Sequence, residues 1–181
     1  MNLLVVQNNL IVFAMVFIAR MIIVPFDATD LSIGNYLWLP LGAAVMSYLL
    51  YGYKVFPGVF IAYILATVIL KGSWDAISIY SYMGRLISSL APLAAIMTMN
   101  AFHVSNFFDG EKINFKNIVF LIFLSSLLST LAKFFVYPIN PETITNPVLF
   151  IQSYLLGDMI GGIVFVYIVV KLLPQLVKTK P

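Results

Sequence analysis

The sequence predicts an all-α integral membrane protein: a single bundle of about six transmembrane helices with both termini on the cytoplasmic side. Three observations predict it. Of 181 residues, 62% are hydrophobic and only 9% are charged, so a soluble domain of this size would expose an almost unbroken apolar surface. The apolar residues fall in runs of about twenty, the length that crosses a ~30 Å hydrocarbon core, and breaks rich in Pro, Gly and charge separate them. Basic residues concentrate on alternate loops, which sets orientation.

Composition also excludes. There is no cysteine, so no disulfide framework or thiolate metal site is available. The single histidine, His103, cannot build a metal centre alone. No metal, cofactor or nucleic-acid partner is expected. The N-terminal residues 1–9 have no basic n-region and no small-residue cleavage site, so they read as part of a retained helix rather than a signal peptide.

The first helix is expected over residues 3–24, with Gln7, Asn8 and Asn9 near its start, Arg20 near its end and Pro25 as its stop. Residues 26–34 form a short polar loop carrying Asp27 and Asp30. The second helix is expected over 35–53. Trp38-Leu39-Pro40-Leu41-Gly42 opens it, and Pro40 is tolerated because first-turn amides have no helical partner. The third begins at Phe56-Pro57-Gly58 and runs to residue 70. So short a turn predicts that the second and third helices form a tight antiparallel hairpin.

Lys71-Gly72 breaks the chain, and Ser73 is an N-cap candidate with Asp75 in the first turn. A fourth helix starting there and ending near Phe102, about 28 residues, would be ~42 Å long, longer than the membrane, so it must tilt, kink or project. Pro92 marks a kink site. That start puts Arg85 near the membrane middle; a start near Tyr82 puts it at the interface, able to snorkel. Both remain open. A polar loop spans 104–116, a fifth helix 117–137 with Lys133 near its end, an irregular three-proline loop 138–147, and a sixth helix 148–173. One domain, 1–173, is thus followed by a short basic cytoplasmic tail, 174–181.

With both termini inside, the cytoplasmic side holds Lys54, Lys112, Lys116, Lys171, Lys178 and Lys180. The other side holds Lys71, acidic loops with Asp27, Asp30, Asp75 and Glu142, and three cations within or near helix ends: Arg20, Arg85 and Lys133.

Asp158 lies deep in the sixth apolar run, within Ser153-Tyr154-Leu155-Leu156-Gly157-Asp158-Met159-Ile160-Gly161-Gly162. A carboxylate there costs several kcal/mol unless it has a partner. The cations Arg20, Arg85 and Lys133 share its half of the membrane. Either Asp158 pairs with Arg85 or Lys133 as a structural clamp while the other cations snorkel, or the surplus positive charge forms a pocket for a small anionic or carboxylate-bearing ligand. A proton relay is the weakest reading, because no second acid or histidine accompanies Asp158. Tyr36, Trp38, Tyr80, Tyr82, Tyr137 and Tyr154 read first as interface belt or core; Trp38 and Tyr154 are also ligand-contact candidates. Gly157, Gly161 and Gly162, with Pro40, Gly42, Pro57 and Gly58, are assigned to helix packing. Enzymatic activity is not expected: the chain has no phosphate-cradling loop, no serine with a histidine partner and no paired carboxylates within a span.

Tyr36-Leu37-Trp38-Leu39-Pro40-Leu41-Gly42-Ala43-Ala44, followed by Tyr51-Gly52-Tyr53-Lys54-Val55-Phe56-Pro57-Gly58-Val59-Phe60-Ile61-Ala62, resembles the first-class membrane-associated sensor (MASE-type) domain of bacteria. The similarity extends to Leu156-Gly157-Asp158 through Gly161 and covers roughly residues 33–171. Two departures stand out: Leu39-Pro40 replaces the family's adjacent prolines, and Gly84-Arg85 stands where a glycine-asparagine pair is common. Family members are usually fused to a cytoplasmic output such as a diguanylate cyclase or histidine kinase, for which the tail after the sixth helix leaves no room. The resemblance therefore implies a stand-alone sensory module of the bacterial inner membrane that signals to a separate cytoplasmic or membrane partner. Two alternatives are carried with it: the substrate-binding subunit of an energy-coupling-factor vitamin transporter, and an assembly protein without ligand.

Overall fold

In a computed structural model, which describes residues 3–26, 34–104, 107, 115–137, 144 and 146–178, the described residues form helices and no strand. The helices are α1 (Leu3–Ile23), α2 (Leu39–Tyr51), α3 (Phe56–Lys71), α4 (Ile79–Ala101), α5 (Phe115–Val136) and α6 (Pro147–Lys178), with 3-10 turns at Val24–Phe26 and Tyr53–Val55. Among the described residues, four segments are long and apolar enough to cross a membrane: Leu3–Phe26, Tyr53–Lys71, Phe115–Val136 and Pro147–Leu172. α2 is apolar but short, and α4 is interrupted by Arg85 and by polar Ser and Asn positions.

α2 is the centre of the bundle. Every residue from Leu39 to Leu49 is buried, whereas α1, α3, α5 and α6 each present large apolar side chains outward, among them Ile18, Ile61, Phe135 and Ile160. The predicted helix over 35–53 is instead an extended lead-in, 35–38, followed by thirteen helical residues. Pro40 sits in the first turn of α2 as expected.

The predicted hairpin of α2 and α3 is not observed. α2 lies along α6 and α1, while α3 lies along α1 and α4. Gly52, in the left-handed half of backbone space (φ 72°), and the 3-10 turn after it redirect the chain. Asn9 of α1 pins this turn: its side-chain carbonyl accepts from Gly58 N at 2.8 Å, and its amide donates to Lys54 O at 3.1 Å and Val5 O at 2.9 Å. A Cβ at Gly58 would stand 2.5 Å from Asn9 O, so this α1–α3 crossing admits only glycine. Close approach of this kind, rather than solvent exclusion, holds helices together in lipid. Gly42 of α2 repeats it against α6, where a Cβ would come within 2.7 Å of Gly162 O and the Phe165 Cβ.

α4 begins at Ile79, between the two starts left open by the sequence. Ser78, not Ser73, is its N-cap, accepting from Ser81 N at 3.2 Å. Ser73 accepts from Ala76 N at 3.3 Å within the linker, because Gly72 (φ 79°) has ended α3 in a left-handed cap and a turn must follow. Pro92 lies inside α4. α6 continues through Pro174 to Lys178, five residues beyond the expected end. Asp27, Asp30, Lys112, Glu142 and Lys180 lie outside the described residues.

Candidate functional site

The last turns of α1 and α5 carry Arg20 and Lys133, the second turn of α4 carries Arg85, and the middle of α6 carries Asp158. These helix ends meet at one end of the bundle around Trp38. Arg20 places its guanidinium carbon 4.9 Å from the centre of the Trp38 ring, and Arg85 places its own 5.9 Å from the same ring. Lys133 Nζ stands 5.2 Å over the Tyr154 ring. Arginine or lysine over an indole or phenol face gains ~0.5–2 kcal/mol, most when desolvated, and desolvation is nearly complete at three of the four charges, Arg85 being only half-buried. Arg20 is 6% exposed, Lys133 4% and Asp158 3%.

Of the two partners the sequence offers Asp158, Lys133 is the one whose charge acts on it. Lys133 in turn feels both Asp158 and Arg85. Tyr63 of α3 is fully buried, and Asp158, Arg85 and Trp38 are among the groups that act on its hydroxyl. Tyr154 packs on Phe150 with ring centres 4.3 Å apart, and Tyr137 meets Phe150 edge-on at 6.2 Å. Tyr137 also rests its hydroxyl against Gly84, where any Cβ would collide with it. Gly84 thus makes room for the aromatic wall beside Arg85.

Trp38 reaches this cluster because the extended lead-in is laid along α6. Gly34 N donates to Ser153 Oγ at 2.9 Å, and Trp38 N donates to Gly157 O at 2.9 Å. A Cβ at Gly157 would strike the Asn35 carbonyl, and one at Gly161 would strike the Trp38 backbone. The Gly157-x-x-x-Gly161 motif therefore seats an extended backbone, not a second helix, which corrects its assignment to helix packing. Gly162 faces Ile122 of α5, whose methyl would lie 2.6 Å from an added Cβ, so it does serve helix packing.

The structure brings Arg20, Trp38, Arg85, Lys133, Tyr154 and Asp158 into one neighbourhood. Pro57 and Gly58 belong to the Asn9 turn, and His103 is exposed with φ 54° after α4. Tyr63, Ser88, Ser129, Thr130 and Tyr137 also belong to the cluster's surroundings, and the sequence reading does not single them out as a group. The available signal was helical spacing: Ser88 is three residues after Arg85, and Ser129 and Thr130 are four and three before Lys133.

No family model, curated protein or solved structure matches the chain.

Proposed function

We propose that the chain is a membrane-embedded sensory module of the bacterial inner membrane, with six spans and both termini inside. It binds a small anionic ligand at the Arg85–Lys133–Asp158 cluster and passes the bound state to a separate signalling protein. The observation that carries this reading is the gathering of charge around Trp38 and Tyr154, buried at Arg20, Lys133 and Asp158 and half-buried at Arg85. Counting only α4, α5 and α6, two cations face one acid. Positive charge left over in a desolvated interior is stabilised by an anion.

Signalling requires that ligand binding favour one of two packing states. α6 suits that task, because it carries Asp158 at the cluster and extends twenty residues further, ~30 Å, to Lys178. The test is purification of the full chain in mild detergent, with anion binding measured by calorimetry and co-purifying proteins identified. Saturable anion binding with a kinase or cyclase in the complex supports the module. Anion binding with an ATPase and a membrane coupling protein instead favours the transporter-subunit alternative. Absence of anion binding overturns the ligand role and leaves assembly.

A further inference from the structure

Hydroxyls on apolar helices ordinarily donate to the carbonyl four residues back. Ser47, Thr67, Ser89 and Ser125 do so at 2.6–2.8 Å. Ser88, Ser129 and Thr130 do not. Their oxygens are buried without a hydrogen-bond partner, as is Arg85 Nε. Buried polar atoms without partners are rare and costly, and a cluster of them marks a place where a bound group completes the hydrogen bonding.

Helical register sets these groups at one depth of the packed α4–α5 pair. Ser88 lies one turn along α4 from Arg85, and Ser129 and Thr130 lie one turn along α5 from Lys133. α4 and α5 pack together. Ser129 and Thr130 are each 1% exposed and Ser88 is 2% exposed. All four groups can donate, and Arg85 Nε can do nothing else. α1, which carries Arg20, packs on α2 and α3, so the charges that flank the seat are Arg85 and Lys133 against Asp158, one net positive charge. A donor-rich seat of that charge suits a monovalent oxyanion, whose oxygens each accept more than one hydrogen bond. A dianion would overshoot the charge, and a halide would lack separate acceptor atoms for the spaced hydroxyls.

We propose that the seat between α4 and α5 holds the carboxylate group of a small monoanion. Arg85 Nε and the hydroxyls of Ser88, Ser129 and Thr130 donate to its oxygens, and Lys133 balances its charge. This rests on the ligand-binding reading above and names the atoms that carry it.

The chain has two tryptophans, and Trp74 is exposed in the linker before α4. A Trp74→Phe background therefore makes Trp38, under Arg20 and Arg85, the single emission reporter. The purified full-length chain is titrated with sodium acetate, and with sodium chloride and inorganic phosphate at matched ionic strength, by Trp38 emission and by calorimetry. Acetate is expected to bind saturably and at least tenfold more tightly than chloride or phosphate. Arg85→Gln abolishes binding, Ser129→Ala combined with Thr130→Val weakens it about tenfold, and Ser129→Ala with Thr130→Ser recovers part of the loss. Helical circular dichroism and a single size-exclusion peak establish that each variant is folded. If Arg85→Gln abolishes acetate binding while the hydroxyl variants bind as the parent does, the hydroxyls hold only water and the seat is overturned, while the anion site stands. Equal affinity for chloride overturns the carboxylate class. No saturable response to any of the three anions overturns both the seat and the site.

Discussion

The Trp38 amide donates to the Gly157 carbonyl, one residue before Asp158, at 2.9 Å. This single bond ties the lead-in to α2 to the centre of α6. It also explains why an indole, two arginines, a lysine and an aspartate occupy one end of the bundle. The glycines beside Asp158 admit the backbone that delivers Trp38, and Trp38 in turn supplies the face on which Arg20 and Arg85 rest.

Gly161→Ala tests that relationship. Its methyl would collide with the Trp38 backbone, so either the lead-in or α6 must move. Such overpacking costs ~1–3 kcal/mol, and the variant is expected to unfold at correspondingly lower denaturant and to shift Trp38 emission. Gly52→Ala is the contrast. Nothing lies near its added methyl, so only the left-handed backbone (φ 72°) is strained, by about 1 kcal/mol, and Trp38 emission should not change.

Trp38→Leu removes the surface under both guanidiniums while keeping an apolar side chain. Loss of two cation–ring contacts should cost ~1–4 kcal/mol in total. Trp38→Phe, which keeps a weaker ring, should recover part of it. A thermal melt of the three proteins in one detergent gives the order, and equal stability of Leu and Phe variants would deny the rings their role.

The helical class and the meeting of charges were legible because both follow from one-dimensional patterns. Apolar runs about twenty residues long mark spans, and the positions of Arg20, Lys133 and Asp158 along theirs put them at similar depth. What was not legible depends on contact. Asn35 to Trp38 contains no helix breaker and reads as the start of a helix; only its seat on Gly157 and Gly161 makes it extended. Ser73 and Ser78 are equally good capping residues, and the left-handed cap at Gly72 decides between them. The hairpin of α2 and α3 was predicted from turn length, yet Asn9, distant in sequence, determines where that turn lies.

Asn9→Ala removes an acceptor for Gly58 N and donors to Lys54 O and Val5 O. Unpaired backbone groups at that turn should cost ~1–3 kcal/mol. The change is expected to stay local: amide exchange at Gly58 should accelerate, while Trp38 emission and anion affinity at the opposite end hold. A parallel loss of anion affinity would show that the two ends are not separable.

Asp158→Asn keeps the shape and removes the charge. Lys133 then remains buried, 4% exposed, without the carboxylate whose charge acts on it. Leaving one member of a buried pair uncompensated costs ~3–5 kcal/mol. The single variant should therefore lose much of its stability, and Lys133→Gln alone should lose a comparable amount for the mirror reason. The Asp158→Asn/Lys133→Gln double variant should be more stable than the sum of the two losses predicts, since neither charge is left alone. Because the seat for a monoanion needs a net positive charge, adding acetate should partly rescue Asp158→Asn by supplying a substitute negative charge beside Lys133. The double variant keeps Arg85, the hydroxyls and one net positive charge, so acetate should raise its midpoint about as much as the parent's; the rescue of Asp158→Asn is the excess over that. Denaturant midpoints for the four proteins, with and without acetate, measure both effects. Additive losses would mean that Asp158 and Lys133 act independently, and a response of Asp158→Asn no larger than the parent's would mean that acetate does not replace the missing carboxylate.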